Sequence, residues 1–440
     1  MVVLEHGTSL GQANLTPGGQ GGQEGAETGG RGDVGTRGRG EYGACLPSSV
    51  VVESPSEGTA QEEGKEGKMK VIVLGGAGDM GSRAVEDLAM SEGVRRVTIA
   101  DRDVAAAREI AAKLSGQEAG VDVRQVDANN HDELVEAMRG YDVAASALGP
   151  FYLFEAKMVR AAIEAGVHYA SICDEWQAAR TVIDQFDEEA RRRGITVITG
   201  LGTSPGLSNV GVRYLTQGMD RVRRAEVCIY QPLNAGGGEA VVRHMLHIIS
   251  GEVVAWRGGE WVMVPACSEE RTVEFPRFGP IKVWNMGHSE PETIPRFIPG
   301  VEEVNFFMGF GRGASLFIRP ARWGLFASER ARRSVARVVS FIERIGPAEE
   351  PAEGAVRIDV WGEVSGEEVH RLACGIGQMR EATGLSLSVG TLMLARGELL
   401  TEEGGVYGPE ACLDPRTFIT RLSGKGVKAY GDLAMTQPIA

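Results

Sequence analysis

From Met69 onward the chain alternates between short apolar runs and longer stretches whose apolar positions recur at helical spacing. The runs end at Leu74, Ala100, Val126, Leu148, Cys173 and Ile198. Between them Ser82–Met90, Val104–Leu114, His131–Met138, Phe154–Ala165 and Trp176–Arg193 read as helices. Strand–helix alternation at this spacing predicts an α/β fold, a doubly wound parallel Rossmann sheet, with ligands at the carboxyl ends of the strands. After Gly200 the rhythm changes. Arg224–Tyr230, Val253–Thr272, Phe306–Phe310 and Val356–Val364 read as strands and Gly238–Ser250 as a helix, which predicts a second α+β domain for substrate and dimerisation. Leu385–Leu394 and Pro415–Leu422 are expected to be helices that return to the first domain. The expected organisation is therefore a nucleotide-binding unit over 69–204, an α+β unit over 205–384 and closing helices over 385–440.

Residues 1–68 lack this pattern. They hold 17 of the 61 glycines with few aromatic residues, and such a segment buries too little apolar area to offset its ordering entropy. Disorder is expected there. Met69, immediately before the first strand, is an equally good start of the chain.

The first strand runs into VIVLGGAGDMG, with Gly76, Gly78 and Gly81 spaced as GxGxxG, and about 20 residues later the second strand ends at Asp101. A strand, a tight glycine turn and a helix from Ser82 aim backbone N–H groups at a pyrophosphate. Gly76 serves the turn, Gly78 the approach of the phosphates, and Gly81 the packing of helix on strand. Asp101 is placed to accept from the adenosine ribose hydroxyls. Its carboxylate favours NAD, whereas the adjacent Arg102 suits the extra phosphate of NADP, so either cofactor fits and NAD is preferred. Asp79 and Met80 lie inside the turn, and Asp127, Ala147, Leu148 and Gly149 follow the third and fourth strands at the same edge.

Composition narrows the partners. The formal charge is −14, which disfavours nucleic acid or an anionic membrane surface. Six scattered cysteines include no CxxC pair, so they read as thiols in a reducing, cytoplasmic setting. No apolar stretch is long enough to span a bilayer. The arginine-rich segment Glu329–Arg337 reads as a solvated helix face.

SALGPF (Ser146–Phe151), AGVHYASICDE (Ala165–Glu175) and GITVITGLGTSPGLSN (Gly194–Asn209), with Gly200, Gly202, Pro205 and Gly206, follow one another in an order that resembles the saccharopine dehydrogenase family. Ser388–Val427, with its GGVYGPE turn, resembles the closing helices of the same family. The resemblance is closest to lysine 6-dehydrogenases, then to carboxynorspermidine dehydrogenases. It implies hydride transfer between NAD or NADP and the CH–NH or CH–NH2 group of an amino acid or amine, through an imine, in a homodimer.

Such chemistry needs a group to move a proton at nitrogen, a group to activate water and cations for substrate carboxylates. Asp174 and Glu175 follow the fifth strand, where they suit catalysis or, equally, capping of the helix from Trp176. His244 is the candidate acid/base on the helix VVRHMLHII, with Arg243 as a carboxylate grip; the same residues also suit an outer face or a dimer contact. Tyr152 and His288 are further substrate-side candidates. His244 and His247 lie three residues apart with no third ligand at helical spacing, so no metal is expected. His168, at the amino end of its strand, is expected to be structural. Two other readings remain: a non-catalytic NAD(P)-binding sensor, and a reductase of a different carbonyl or imine.

Overall fold

The computed structural model describes residues 69–232, 238–311, 315–326, 328, 330–337 and 352–439. The Gly-rich segment 1–68 and Cys45 lie outside the described residues. Six strands alternate with helices: β1 (Met69–Leu74), α1 (Asp79–Ala89), β2 (Val94–Asp101), α2 (Val104–Lys113), β3 (Gly120–Gln125), α3 (His131–Met138), β4 (Val143–Ser146), α4 (Phe151–Ala165), β5 (His168–Ser171), α5 (Trp176–Arg193) and β6 (Thr196–Thr199). With a seventh strand, Gly405–Tyr407, they form one parallel sheet in the order Gly405–Tyr407, β6, β5, β4, β1, β2, β3. Side chains alternate across β1 and bury both faces. Val71 and Val73 pack with Ala84, Val85 and Leu88 of α1, and Ile72 and Leu74 pack with Met138 of α3 and Met158 of α4. A fully buried Leu or Ile of this kind contributes about 1.5–3 kcal/mol.

The second sheet contains β7 (Arg221–Tyr230), β8 (Glu252–Arg257), β9 (Glu260–Pro265), β10 (Glu270–Phe275), β11 (Gly279–Asn285), β12 (Glu303–Gly309), β13 (Gly354–Val364) and β14 (Glu367–Gly377). Its main path is β10-β11-β12-β7-β13-β14, continued by two short C-terminal strands, with β8 and β9 branching from β12. Only the β12–β7 pair is parallel among these neighbours. Helices α6 (Leu207–Thr216), α7 (Gly238–Ile248) and α8 (Glu290–Phe297) accompany this sheet.

Three expectations are corrected. Helix α1 starts at Asp79, three residues before Ser82, because Gly78 already has the extended backbone of an N-cap. The helix expected over Leu385–Leu394 runs from Met379 to Ala395, and the GGVYGPE segment is a strand of the parallel sheet as well as a turn. The long helix lies parallel to α1. Arg380 pairs with Asp79 at 3.0 Å, Ser388 donates to Asp87 at 2.6 Å, and Arg396 reaches the Glu92 carbonyl at 2.7 Å. Segment 330–337 is helical with Arg330, Arg333 and Arg337 exposed. No helix among the described residues is long and apolar enough to cross a membrane.

Candidate active site

The glycine turn after β1 is a cradle that side chains would fill. The left-handed backbone falls on Gly75 (φ +72°), one residue earlier than the turn role assigned to Gly76. A Cβ on Gly76 would lie 2.9 Å from the Val73 carbonyl oxygen, and one on Gly81 only 2.2 Å from that of Gly75. Asp101 ends β2. One carboxylate oxygen accepts from the Ala77 N–H inside the turn (3.1 Å) and the other from the Asp103 N–H (3.0 Å). Arg102 beside it is exposed. Asp127 is exposed too, and the N–H of Asn129 holds its carboxyl below the usual carboxylate range. Met80, Ala147 and Gly149 line a cleft of about 190 Å³ at the carboxyl ends of the strands, and the Leu148 N–H leans on the Ser146 hydroxyl at 3.4 Å. This set fits a nicotinamide dinucleotide, which when bound supplies the hydride donor or acceptor. Backbone N–H groups of the turn and the start of α1 would face its pyrophosphate, and Asp101 its ribose.

The far wall of the cleft carries the titratable groups. Asp174 and Glu175 leave β5, and His244 of α7 comes between them: Nε2 lies 3.1 Å from Asp174 Oδ2 and Nδ1 3.2 Å from Glu175 Oε1. His244 therefore faces the cleft, not an outer face. Glu175 is the N-cap residue of α5, but its side chain makes no capping bond there. It accepts instead from the Tyr152 N–H at 2.5 Å and so caps the first turn of α4. His288 reaches the same space from the loop before α8. It stacks on Phe306 at 4.0 Å, and its Nδ1 sits 2.5 Å from Glu290 Oε2. Tyr152 stacks on His247 at 5.0 Å and its hydroxyl accepts from Arg243 at 3.5 Å, which engages both candidates beside the cleft. His168 is structural, as expected; its Nδ1 accepts from the Thr196 N–H at 3.0 Å.

Electrostatics fix the protonation of this group. Burial lowers the pKa of His244, but Asp174 and Glu175 more than reverse it, and the net value is raised to about 10. Burial pushes Asp174 up; His244 and His288 outweigh it, and its carboxyl titrates below the usual range. Glu290 behaves alike, with burial opposed by His288 and Ser204. At neutral pH His244 is thus an imidazolium beside the ionised Asp174. One oxygen of that carboxylate, Asp174 Oδ1, is buried and has no hydrogen-bond partner.

Asp174, His244 and His288 also bring one ligand-type atom each to within 4.8 Å of one another. The helical-spacing argument against a third ligand therefore fails, because the other two come from different elements. Both nitrogens of His244 meet carboxylates, so a metal ligated by His244 would have to displace a proton from the ring.

Three buried acids escaped the sequence reading. Glu290 follows His288 by two residues, a spacing that hinted at the pair. Glu155 lies on the apolar stripe of α4 with Phe151, Met158 and Val159, which is the signal that was available. Its carboxyl accepts from Ser171 (2.5 Å), Tyr169 (3.0 Å) and Thr199 (3.3 Å), tying together the ends of β5 and β6 beneath Asp174. Glu410, fully buried in the GGVYGPE segment, gave no such signal. Burial raises both Glu155 and Glu410 to about 7. The folded chain then holds protons that the unfolded chain has released, so these two acids lower stability as pH rises from about 4.5 to about 7 and add no further loss above. Each accounts for a loss on the order of 3 kcal/mol. In urea unfolding at pH 5 and pH 8, Glu155→Gln should show a smaller difference than wild type. An unchanged difference would remove Glu155 from this role.

Glycine cradle and ribose acid make up a nicotinamide dinucleotide-binding fold beside a cleft that holds the histidine. Residues 71–198 match the NADP binding domain of saccharopine dehydrogenase. Carboxynorspermidine synthase of Vibrio cholerae is 28% identical over 268 residues, 55% of this chain and 63% of that protein, so the match spans less than two thirds of the relative. Carboxyaminopropylagmatine dehydrogenase of Synechocystis is 22% identical over 402 residues, covering 82% and 96%. The apo saccharopine dehydrogenase (L-Glu forming) of Saccharomyces cerevisiae shares the fold with a TM-score of 0.59 at 14% identity, over 82% of this chain and 98% of that one.

Proposed function

We propose that the protein interconverts an amine and its imine, with His244 moving the proton at nitrogen and NAD as the preferred cofactor. The observation that carries this reading is the buried Asp174 Oδ1, unpartnered beside the His244 imidazolium. A substrate ammonium or iminium supplies the missing N–H donor. In oxidation the ammonium first gives a proton through Asp174, whose Oδ1 receives the substrate N–H and whose Oδ2 lies 3.1 Å from Nε2 of neutral His244. The carbon then loses hydride, leaving the C=N bond. In reduction the carbon gains hydride and the His244 imidazolium returns the proton to nitrogen by the same path. With a pKa of about 10, His244 is charged at neutral pH, which favours reduction there and oxidation in alkali. Asp174 orients His244 and receives the substrate N–H, and Glu175 holds Nδ1.

The relatives' printed names, for a carboxynorspermidine and a carboxyaminopropylagmatine enzyme, support an N-substituted amine over free lysine. The test is absorbance at 340 nm with NAD or NADP against lysine, saccharopine, ornithine, carboxylated polyamines and straight-chain alkylamines. Reduction of cofactor with one of them is expected. Tight nucleotide binding with no reduction across the panel would overturn the dehydrogenase in favour of a nucleotide sensor.

Asp101 is the reason for NAD. Its charge would face the 2′-phosphate of NADP, while Arg102 offers the only adjacent cation in sequence. Asp101→Asn keeps the acceptor for Ala77 N–H and removes the charge. It should shift the NAD/NADP ratio of kcat/KM toward NADP by about 10–100-fold, or ~1.4–2.8 kcal/mol. An unchanged ratio would detach selectivity from Asp101.

A further inference from the structure

Beside the cleft lies a second cavity, of about 270 Å³, open on one side and walled by α6, the inner face of β13 and β14, the start of the long helix and the C-terminal residues Ile419, Val427 and Ile439. Leu207, Val356, Ile358, Ala373 and Ala382 line it with apolar surface. The two spaces share two wall residues, Thr203 and Met379. Thr203 is fixed by a 2.8 Å hydrogen bond between its hydroxyl and that of Thr383. Met379 is the remaining partition, an unbranched side chain with three rotatable bonds that yields to a ligand at small cost. The carboxylates at the cavity are already matched: Glu381 with Arg83 (2.6 Å) and Arg380 (3.0 Å), and Glu353 with Arg277. The cavity therefore offers apolar surface and no unmatched carboxylate; the one further charge on its wall is the cation Lys428.

We propose that this cavity is the tail pocket of the active site and that the substrate is an amine bearing an uncharged aliphatic chain several methylenes long. The nitrogen sits at Asp174 and His244, and the chain passes Met379 to end against Val356, Ile358 and Ala373. The proposal rests on the amine reading for the nitrogen end and adds the chemistry of the other end. A polyamine tail, with a cation every few carbons, would find no free carboxylate in this cavity and would leave desolvated charge there.

Gly377 supplies the test. It ends β14 on the same face as Ala373 and Gly375, whose cross-strand partners Ile358 and Val356 line the cavity. A Cβ at Gly377 meets no atom within 4 Å, and its φ lies outside the left-handed range, so Gly377→Leu fills the space without backbone strain. On the full chain, straight-chain primary amines from propyl to decyl are assayed at 340 nm, and calorimetry follows 1-aminooctane binding to the enzyme with NADH. In wild type, kcat/KM should rise by roughly fourfold per methylene until the cavity is full. Gly377→Leu should abolish that rise, cost octylamine at least tenfold and leave propylamine and NADH binding unchanged. A flat length series, octylamine binding indifferent to Gly377→Leu, or preference for a triamine of equal length would each overturn the proposal. If no amine is oxidised but octylamine binds wild type and is lost in Gly377→Leu, the tail pocket stands and the dehydrogenase reading falls.

Discussion

Replacing His244 with glutamine should lower kcat for amine oxidation by about 10²–10⁴-fold, the range for loss of a positioned acid/base, while nucleotide affinity stays unchanged. The pH profile is the sharper readout. In wild type, kcat/KM for oxidation should climb about tenfold per pH unit and bend near pH 10, where His244 gives up the proton that Asp174 and Glu175 hold on it. Asp174→Asn removes one of those charges while keeping the shape, so His244 deprotonates more easily and the bend moves toward neutrality. A bend at the same pH in this variant would assign the titration to another group. Stability carries the matching signature. The His244 pKa is raised on folding, so its contribution is complete below about pH 6.5 and is lost as pH rises through about 10. The difference in unfolding free energy between wild type and His244→Gln should shrink across that window.

Gly81→Val should weaken nucleotide binding at least tenfold. The obstacle is backbone on every side: the new Cβ would lie 2.2 Å from the Gly75 carbonyl oxygen and 2.9 Å from the Gly76 Cα. The helix α1 must then lift from β1, moving the N–H groups that face the pyrophosphate. Overpacking of this kind costs about 1–3 kcal/mol, so the variant should still fold but show at least a tenfold weaker NADH affinity by calorimetry. It should also melt at lower temperature. NADH affinity equal to wild type would mean that the turn is not the cradle. The long helix adds a second penalty, because Gly384 packs against the Met80 carbonyl and Arg83, and α1 has no free space on that side.

The parallel sheet was legible because its signals are local. Each apolar run is a strand, and the backbone that crowds the glycines at 76, 78 and 81 lies no more than six positions away, with Ile99 of the next strand beside Gly76 as well. Asp101 was legible for the same reason, as the end of a run. The candidate site was only half visible. Asp174, Glu175, His244 and His288 were each named, but their roles turned on contacts between residues 44 to 114 positions apart, which periodicity does not encode. Hence Glu175 was expected to cap its own helix and caps α4 instead, and the histidine pair on α7 was judged without the acid and histidine that complete the cluster. Glu290 and Glu410 were missed because a buried acid looks like any solvated acid until its surroundings are known.

The nucleotide-binding layer begins at residue 69 and is finished by residues 379–407, which supply the helix beside α1 and the strand beside β6. The domain is therefore not a detachable cassette. During synthesis, the first six strands leave the ribosome with β6 as an open edge and α1 with an uncovered flank, at about 5–20 residues per second. They wait for some two hundred further residues before that edge is paired. A transplant of 69–204 into another enzyme would carry the same open edge with it, and so would a truncation that stops before the long helix.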